Sequence, residues 1–408
     1  MKVVIFTADS NGGYPVPAVR GGAVSILIEH LISENQMKKQ IKLKIVSLYD
    51  ERAKAIALER YSNIDFEWVC PPKFVKLVDK AIYCLFKTVF RKKKAVSFLS
   101  LASLVYYICV SARLLRKDRY DKVVLENNIL MAWIIKLSKY KGNYYYHLHN
   151  IPRVNAGCKS VFSNATGILC VSKFVSDAIQ TDKNAIGPIS PKKTKILYNC
   201  IDTNLFRVID DKRLLIKTRE KYGVNENDNV IIFVGRLSKE KGIDKLLEAI
   251  QNINVPNVRV LIVGSLIHNT EEMDDYQVKL HELASSLSDK VIFTGYVNQD
   301  ELPLLYNISD VAALPSMWDE PAGLTMIEAL ACGVPVVTTA SGGIPEYVSD
   351  CAIVFQRDEK VVENLSKSIT ILLKKTIDKD ERQRKGIARI KDNFDKEMYL
   401  DRFISNIK

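Results

Sequence analysis

Two carboxylates eight positions apart, Glu320 and Glu328, lie in the stretch of this 408-residue chain whose residue types say most about chemistry, PSMWDEPAGLTMIEALACGVP from Pro315 to Pro335. Gly323 stands between them, at the expected entry to a helix over Leu324–Ala331. The first N–H groups of such a helix have no intrahelical partner, and the positive end of its dipole lies there, so an anion such as a diphosphate is favoured. Carboxylates are poor phosphate ligands but good acceptors for sugar hydroxyls. The combination describes one pocket for a sugar joined to a nucleotide diphosphate.

Other loops carry complementary groups. After an expected strand at Val230–Val234 comes GRLSKEKG, in which Arg236 and Lys241 bracket a short turn ahead of a helix beginning near Gly242. An arginine forks two phosphate oxygens and a lysine adds a mobile point charge, so the pair neutralises a diphosphate leaving group without calling for a metal. The loop after the first strand holds Gly21 and Gly22 before a helical pattern, and glycines there let a phosphate or sugar approach the backbone. YHLHN places His147 at a strand end and His149 just beyond it; His147 reads as a core histidine. Glu126-Asn127-Asn128 follows another strand, where capping of the next helix is the better account than binding of acceptor hydroxyls. Tyr296 and Val297, after a strand at Val291–Thr294, are candidates to flank a base, and SGGIPE with Gly342, Gly343 and Glu346 reads as structural support behind the donor pocket.

These motifs resemble those of retaining glycosyltransferases of family 4, which adopt the GT-B fold. The Glu-x7-Glu pair, the Arg and Lys of GRLSKEKG, the Gly21-Gly22 loop and the histidine of YHLHN all have counterparts there. The resemblance implies that Glu320 contacts the donor sugar and Glu328 the nucleotide ribose. It gives His149 a contact near the reacting carbon, and it turns Gly21 and Gly22 toward the diphosphate and acceptor. Gly323, Leu324 and Thr325 line the donor side of the helix entrance. Catalytic roles fall on Glu320, His149, Arg236 and Lys241, with the departing phosphate taking the acceptor's proton on the same face. No metal or cofactor is expected. YNCID at Tyr198–Asp202 departs from the family's turn, with Cys200 where glycine is usual.

The elements that must position these loops are short β-branched runs alternating with helix-length segments, the pattern of parallel α/β domains. Strands are expected at Val3–Phe6, Leu43–Leu48, Asp65–Val69, Lys122–Leu125, Tyr144–His147, Gly167–Val171 and Lys195–Tyr198 in the first half. The second half offers Val230–Val234, Arg259–Val263, Val291–Thr294, Val311–Leu314, Pro335–Thr338 and Ala352–Phe355. The expected fold class is α/β, two Rossmann-like doubly wound domains facing across a cleft. The boundaries are an acceptor-side domain over 1–205, a linker over 206–226, a nucleotide-sugar domain over 227–385, and a C-terminal helix over 386–408 packing back on the first domain. In open α/β sheets ligands bind beyond the carboxyl ends of the strands, which is where the candidate loops fall.

Composition narrows the setting. Residues 1–200 carry 32 Lys and Arg against 14 Asp and Glu, whereas the whole chain is only +12, so the second half is net acidic. Basic charge on one half calls for an anionic partner, and no nucleic-acid motif accompanies it. Lys73 to Lys94, KFVKLVDKAIYCLFKTVFRKKK, interleaves lysine with Phe, Leu, Ile and Val, which suits an anionic membrane surface. The uncharged stretch Ala95–Ala112 reads as a buried or interfacial helix, not a span. Eight scattered cysteines without a C-x2-C pair suggest reduced thiols, and MKVVIFTAD reads as a first strand, not a signal peptide. Asp378-Lys379-Asp380 reads as solvated charge. The expectation is a cytoplasmic enzyme at the inner membrane face. It takes a nucleotide-sugar donor, of UDP type, and a glycan or lipid-linked acceptor, and serves bacterial surface polysaccharide assembly. A nucleotide-sugar epimerase of the same fold and a non-catalytic binding partner are the alternatives, and oligomeric state is open.

Overall fold

The computed structural model describes residues 1–9, 14–19, 22–89, 99–264, 275–287, 290–374 and 379–408. Gly21, Lys92, Lys93, Lys94 and Asp378 lie outside the described residues, as does the start of the uncharged stretch at Ala95. The chain forms two compact units, Met1–Asn199 with Lys396–Lys408, and Cys200–Asp395.

The first unit is a parallel sheet of β1 (Lys2–Phe6), β2 (Lys42–Leu48), β3 (Asp65–Val69), β4 (Lys122–Glu126), β5 (Tyr144–Leu148), β6 (Gly167–Cys170) and β7 (Thr194–Ile196). Their order is β3-β2-β1-β4-β5-β6-β7. The second unit is a parallel sheet of β8 (Asn229–Val234), β9 (Val258–Val263), β10 (Val291–Gly295), β11 (Val311–Leu314), β12 (Val336–Thr339) and β13 (Ala352–Phe355), in the order β10-β9-β8-β11-β12-β13. Every expected strand forms, within a few residues of its expected ends. Near-continuous Val and Ile runs do this because helices cover both faces: β4 and β11 bury nearly every residue.

Both sheets reverse their order once, between β1 and β4 and between β8 and β11. Consecutive crossovers run outward in opposite directions from that point, so the loops beyond the two central strands diverge and leave a crevice. The loop after β8 therefore lies beside the loop after β11, although Lys241 and Glu320 on them are 79 positions apart in sequence.

Three departures from expectation concern the helices. Residues 206–226, expected as a linker, contain the helix Lys212–Lys221 inside the second unit. Its N-terminus is capped by Asp211, whose carboxylate accepts Leu214 N–H at 3.1 Å. The second unit also extends to Asp395, beyond the expected boundary at 385, because the helix Lys379–Phe394 packs on Leu324–Ala331. Only the last helix, Tyr399–Ile407, joins the first unit, burying Tyr399, Leu400, Phe403, Ile404 and Ile407. There Tyr145 donates its hydroxyl to Ile407 O at 2.9 Å.

The helix expected from Ala95 is instead Leu101–Lys117, buried along one face through Leu104, Tyr107, Ile108 and Leu115. Tyr107 donates to Val46 O at 2.7 Å and accepts Thr7 N–H at 2.9 Å, which pins the helix to the sheet. Among the described residues no helix is long and apolar enough to cross a membrane. Its N-terminus is capped from another helix: Asp79, on Lys73–Cys84, accepts Ala102 N–H at 2.7 Å and Ser103 N–H at 3.2 Å. That anchors Lys73–Cys84 by one face and leaves Phe74, Leu77 and Val78 exposed on the other.

Candidate active site

In the second unit the loops after β8 and β11 lock together through backbone. Gly242 adopts φ +70°, and a Cβ there would overlap Pro315 O. Met317 N–H donates to Glu240 O at 2.8 Å, so the turn carrying Lys241 is fastened to the segment carrying Ser316 and Glu320. Ser316 O in turn accepts hydroxyls from Thr339 at 2.6 Å and Ser341 at 2.9 Å. Gly343 N–H donates to Glu320 O at 2.7 Å, so SGGIPE holds the backbone that carries Glu320.

This frame holds one buried carboxylate. Glu320, 7% exposed, accepts the Ser316 hydroxyl at 3.0 Å and forms an ion pair with Lys241 through the same oxygen. Lys241 was expected to face a diphosphate, and it is found on Glu320. A bound anion would therefore compete with Glu320 for this ammonium. Arg236 is half exposed and 3.9 Å from Glu240, which leaves its guanidinium open to solvent.

Glu328 has a different environment. The helix Leu324–Ala331 forms with its expected ends, Gly323 is its N-cap, and no side chain caps it, so the N–H groups of Leu324 and Thr325 are unclaimed within the helix. On its later turn half-buried Glu328 accepts the Tyr306 hydroxyl at 3.3 Å. Burial pushes the Glu328 carboxyl up to about 8, and the tyrosine opposes this only weakly. A raised folded value over the ordinary 4.5 means that the folded state holds this proton more tightly. The contribution to stability is complete below about pH 4.5 and is lost as pH rises through about 8. We expect the melting temperature of the wild type minus that of Glu328→Gln to fall steadily between pH 5 and pH 9; a flat difference refutes the assignment.

Tyr296 follows β10, at the sheet edge, with 67% exposure, and Val297 is half-buried. Among the described residues no hydrogen bond or ring contact joins them to Glu320 or Glu328. Sequence reasoning missed Ser316 and Tyr306. The PSMW serine carries no signal until the β8–β11 pairing puts Lys241 beside it, and Tyr306 lies 22 positions before Glu328 with no motif linking the two.

The first unit contributes a second cluster. Gly22, φ +100°, caps the helix Ala23–Lys38 and packs where a Cβ would lie 2.8 Å from the Tyr14 ring. Glu126 ends β4 and is the register partner of His147 on β5. Its carboxylate faces two imidazoles, His147 Nδ1 at 3.0 Å and His149 Nε2 at 3.1 Å, and all three side chains are buried. The two rings stack obliquely with centroids 4.1 Å apart. Burial disfavours ionised Glu126, but attraction to His147 and hydrogen bonds from both rings outweigh it and hold the carboxyl down to about 2. Burial, then repulsion from His147, bring His149 down to about 4 despite the carboxylate. Of the Glu126-Asn127-Asn128 trio, expected to cap, only Asn128 does so, accepting Leu130 N–H at 3.0 Å. Asn127 instead accepts His149 N–H at 3.1 Å.

With this geometry in place, comparisons decide the class. Residues 216–389 match the family described as Glycosyl transferases group 1. The chain is a glycosyltransferase. Spore coat protein SA of Bacillus subtilis is 28% identical to it over 86% of this chain and 84% of that protein. A D-inositol 3-phosphate glycosyltransferase of Mycobacteroides abscessus is 31% identical over 48% of this chain and 41% of that protein. The structure of Anabaena Alr3699/HepE, solved with UDP and glucose, superposes with a TM-score of 0.73 at 20% identity, covering 100% of this chain and 99% of that one. The last likeness is one of fold, and the glycosyltransferase has the two-unit α/β GT-B architecture. Its matched segment contains Arg236, Lys241, Glu320 and Glu328 together.

Proposed function

We propose that this glycosyltransferase belongs to family 4. In this reading it moves a sugar from a UDP-sugar to a hydroxyl of a glycan or lipid-linked acceptor, with retained anomeric configuration, in assembly of a bacterial surface polysaccharide. The observation that carries the reading is the buried Glu320 carboxylate held by Ser316 and Lys241 at the β8–β11 reversal, a few residues before an uncapped helix N-terminus. Glu320 orients sugar hydroxyls; Glu328, with Tyr306 behind it, meets the ribose. Arg236, Lys241 and the N–H groups of Gly323, Leu324 and Thr325 stabilise charge on the departing diphosphate, whose oxygen takes the acceptor's proton. Gly21 and Gly22 border the diphosphate and acceptor, His149 meets the donor sugar, and Tyr296 and Val297 flank the base. This chemistry calls for no metal. A relative solved with UDP and glucose supports the donor class, and one named as a spore coat protein supports a surface acceptor. Thermal shift against a panel of UDP-, GDP- and ADP-sugars tests the donor. A ligand at a hundred times its Kd stabilises the native state by about 2.7 kcal/mol. Stabilisation by a UDP-sugar is the expected result, and no shift with any of the panel rejects the reading.

The exposed face of Lys73–Cys84 extends the proposal to a peripheral site on an anionic bilayer. Phe74, Leu77 and Val78 are 66%, 63% and 46% exposed, and Lys73, Lys76 and Lys80 are interleaved with them. An apolar stripe edged by ammonium groups matches a headgroup region in both chemistry and depth. Burying two such side chains contributes roughly 1.5–3 kcal/mol each. The double substitution Phe74→Ser, Leu77→Ser should therefore weaken sedimentation with phosphatidylglycerol vesicles at least tenfold. Unchanged sedimentation rejects this face as the contact.

A further inference from the structure

We propose that Glu126 is the positioning residue for His149: it accepts Nε2–H of that ring and so leaves Nδ1 as a bare acceptor for a hydroxyl of the donor sugar. This rests on the reading of His149 as a donor-sugar contact, and adds the residue that sets how the ring makes it.

The argument begins with proton inventory. An ionised carboxylate only accepts, so each ring nitrogen facing Glu126 must carry a hydrogen. His147 therefore presents Nδ1–H and His149 presents Nε2–H, at 3.0 and 3.1 Å. His149 is neutral well below pH 7, since burial and His147 hold it down to about 4, so its other nitrogen has a lone pair and no proton. That atom, His149 Nδ1, is buried and has no hydrogen-bond partner, as is His147 Nε2. The ring is also held from its backbone side, because Asn127, at φ +53°, accepts His149 N–H. A buried acceptor without a donor is a cost to the folded chain. A sugar hydroxyl would remove that cost when the donor binds.

The same three residues also place ligand-type atoms within 4.8 Å of one another, near enough to meet at a metal ion. Metal-bound histidines almost always donate their remaining N–H to a carboxylate, carbonyl or water. Here both remaining nitrogens lack a partner, and as N–H groups they would be buried unsatisfied donors. The hydrogen-bonded triad leaves His149 Nδ1 as an acceptor, which fits its surroundings better.

Long-range proton–nitrogen NMR on the histidine-labelled full chain reads the tautomers directly, since a bare ring nitrogen and an N–H nitrogen resonate far apart. The five histidines are assigned by single His→Gln variants. Wild type at pH 7 should show His149 neutral with its hydrogen on Nε2. The two rings share Glu126 Oε2, an oxygen that an amide could still supply, so the variant that removes the acceptor is Glu126→Leu, in which His149 should populate both tautomers. Release of nucleoside diphosphate, from whichever nucleotide sugar gives the largest thermal shift, should then fall at least tenfold while the melting temperature moves little. Glu126→Asp keeps the acceptor chemistry and should keep the wild-type tautomer even if the Leu variant folds poorly. Finding His149 as Nδ1–H or as imidazolium in wild type overturns the proposal, as does an unchanged tautomer in Glu126→Leu. His149→Ala with wild-type turnover would instead sink the donor-contact reading and leave the tautomer result standing.

Discussion

Glu320→Gln should lower turnover by about 10²-fold or more while the protein stays folded, the scale expected when a positioned group lets the reacting centre drift by about 1 Å. The replacement keeps size and shape but turns an acceptor of two hydrogen bonds into an amide that must face an ammonium. Glu320 now receives both the Ser316 hydroxyl and Lys241 through one oxygen. With Gln, Lys241 loses its anionic partner and becomes free for a diphosphate. Nucleoside diphosphate should therefore bind at least as well as to wild type, even as sugar transfer fails. Breaking a buried pair costs several kcal/mol at its worst, but Lys241 is 24% exposed, so water can take over its solvation and the loss of stability should be modest. Steady-state release of nucleoside diphosphate, with the melting temperature as control, measures this. Wild-type turnover in the Gln variant removes Glu320 from the mechanism.

Gly342→Ala should combine a loss of stability of about 2–4 kcal/mol with a loss of activity. Gly342 lies at φ +61°, where an L side chain costs about 1–2 kcal/mol. A Cβ there would also overlap Glu320 O and stand 2.8 Å from Glu320 N, and overpacking of this kind costs typically 1–3 kcal/mol. The atoms that must yield are the backbone that aims the Glu320 carboxylate, so strain is delivered to the site itself. Gly223→Ala is the control: it has φ +65° and nothing within 4 Å of the added methyl, so it should show only the backbone cost and retain activity. Denaturation midpoints and turnover of the two variants separate the effects. Equal destabilisation by both would mean that the contact with Glu320 is absorbed without strain.

Most of the fold was readable because parallel strands buried on both faces announce themselves as short Val and Ile runs. All thirteen expected strands form, and the helix Leu324–Ala331 has its expected ends, set by Gly323 before it and Gly333-Val334-Pro335 after it. Helices under tertiary control were harder. The start of Leu101–Lys117 depends on a cap from Asp79, 22 residues earlier, and no local pattern around Ser100 reveals that. The same holds for the segment 206–226, whose polar composition suits a linker and equally a surface helix of the second unit.

Residue types, with the family their motifs resemble, pointed to the class of chemistry: acidic groups at fixed spacing, a glycine-marked helix entrance and two cations suit a sugar on a diphosphate, because each supplies one interaction such a molecule needs. Which of those groups touch is a question of strand order. Only the reversal between β8 and β11 sets Lys241 on Glu320 and brings in Ser316, and only the pairing of β4 with β5 turns Glu126 from an apparent cap into the partner of two histidines. A crossover can carry a strand to either side of its sheet, and hydrophobic periodicity is the same on both sides. The neighbours of a loop are therefore decided by packing, and with them the protonation and direction of every side chain the loop presents.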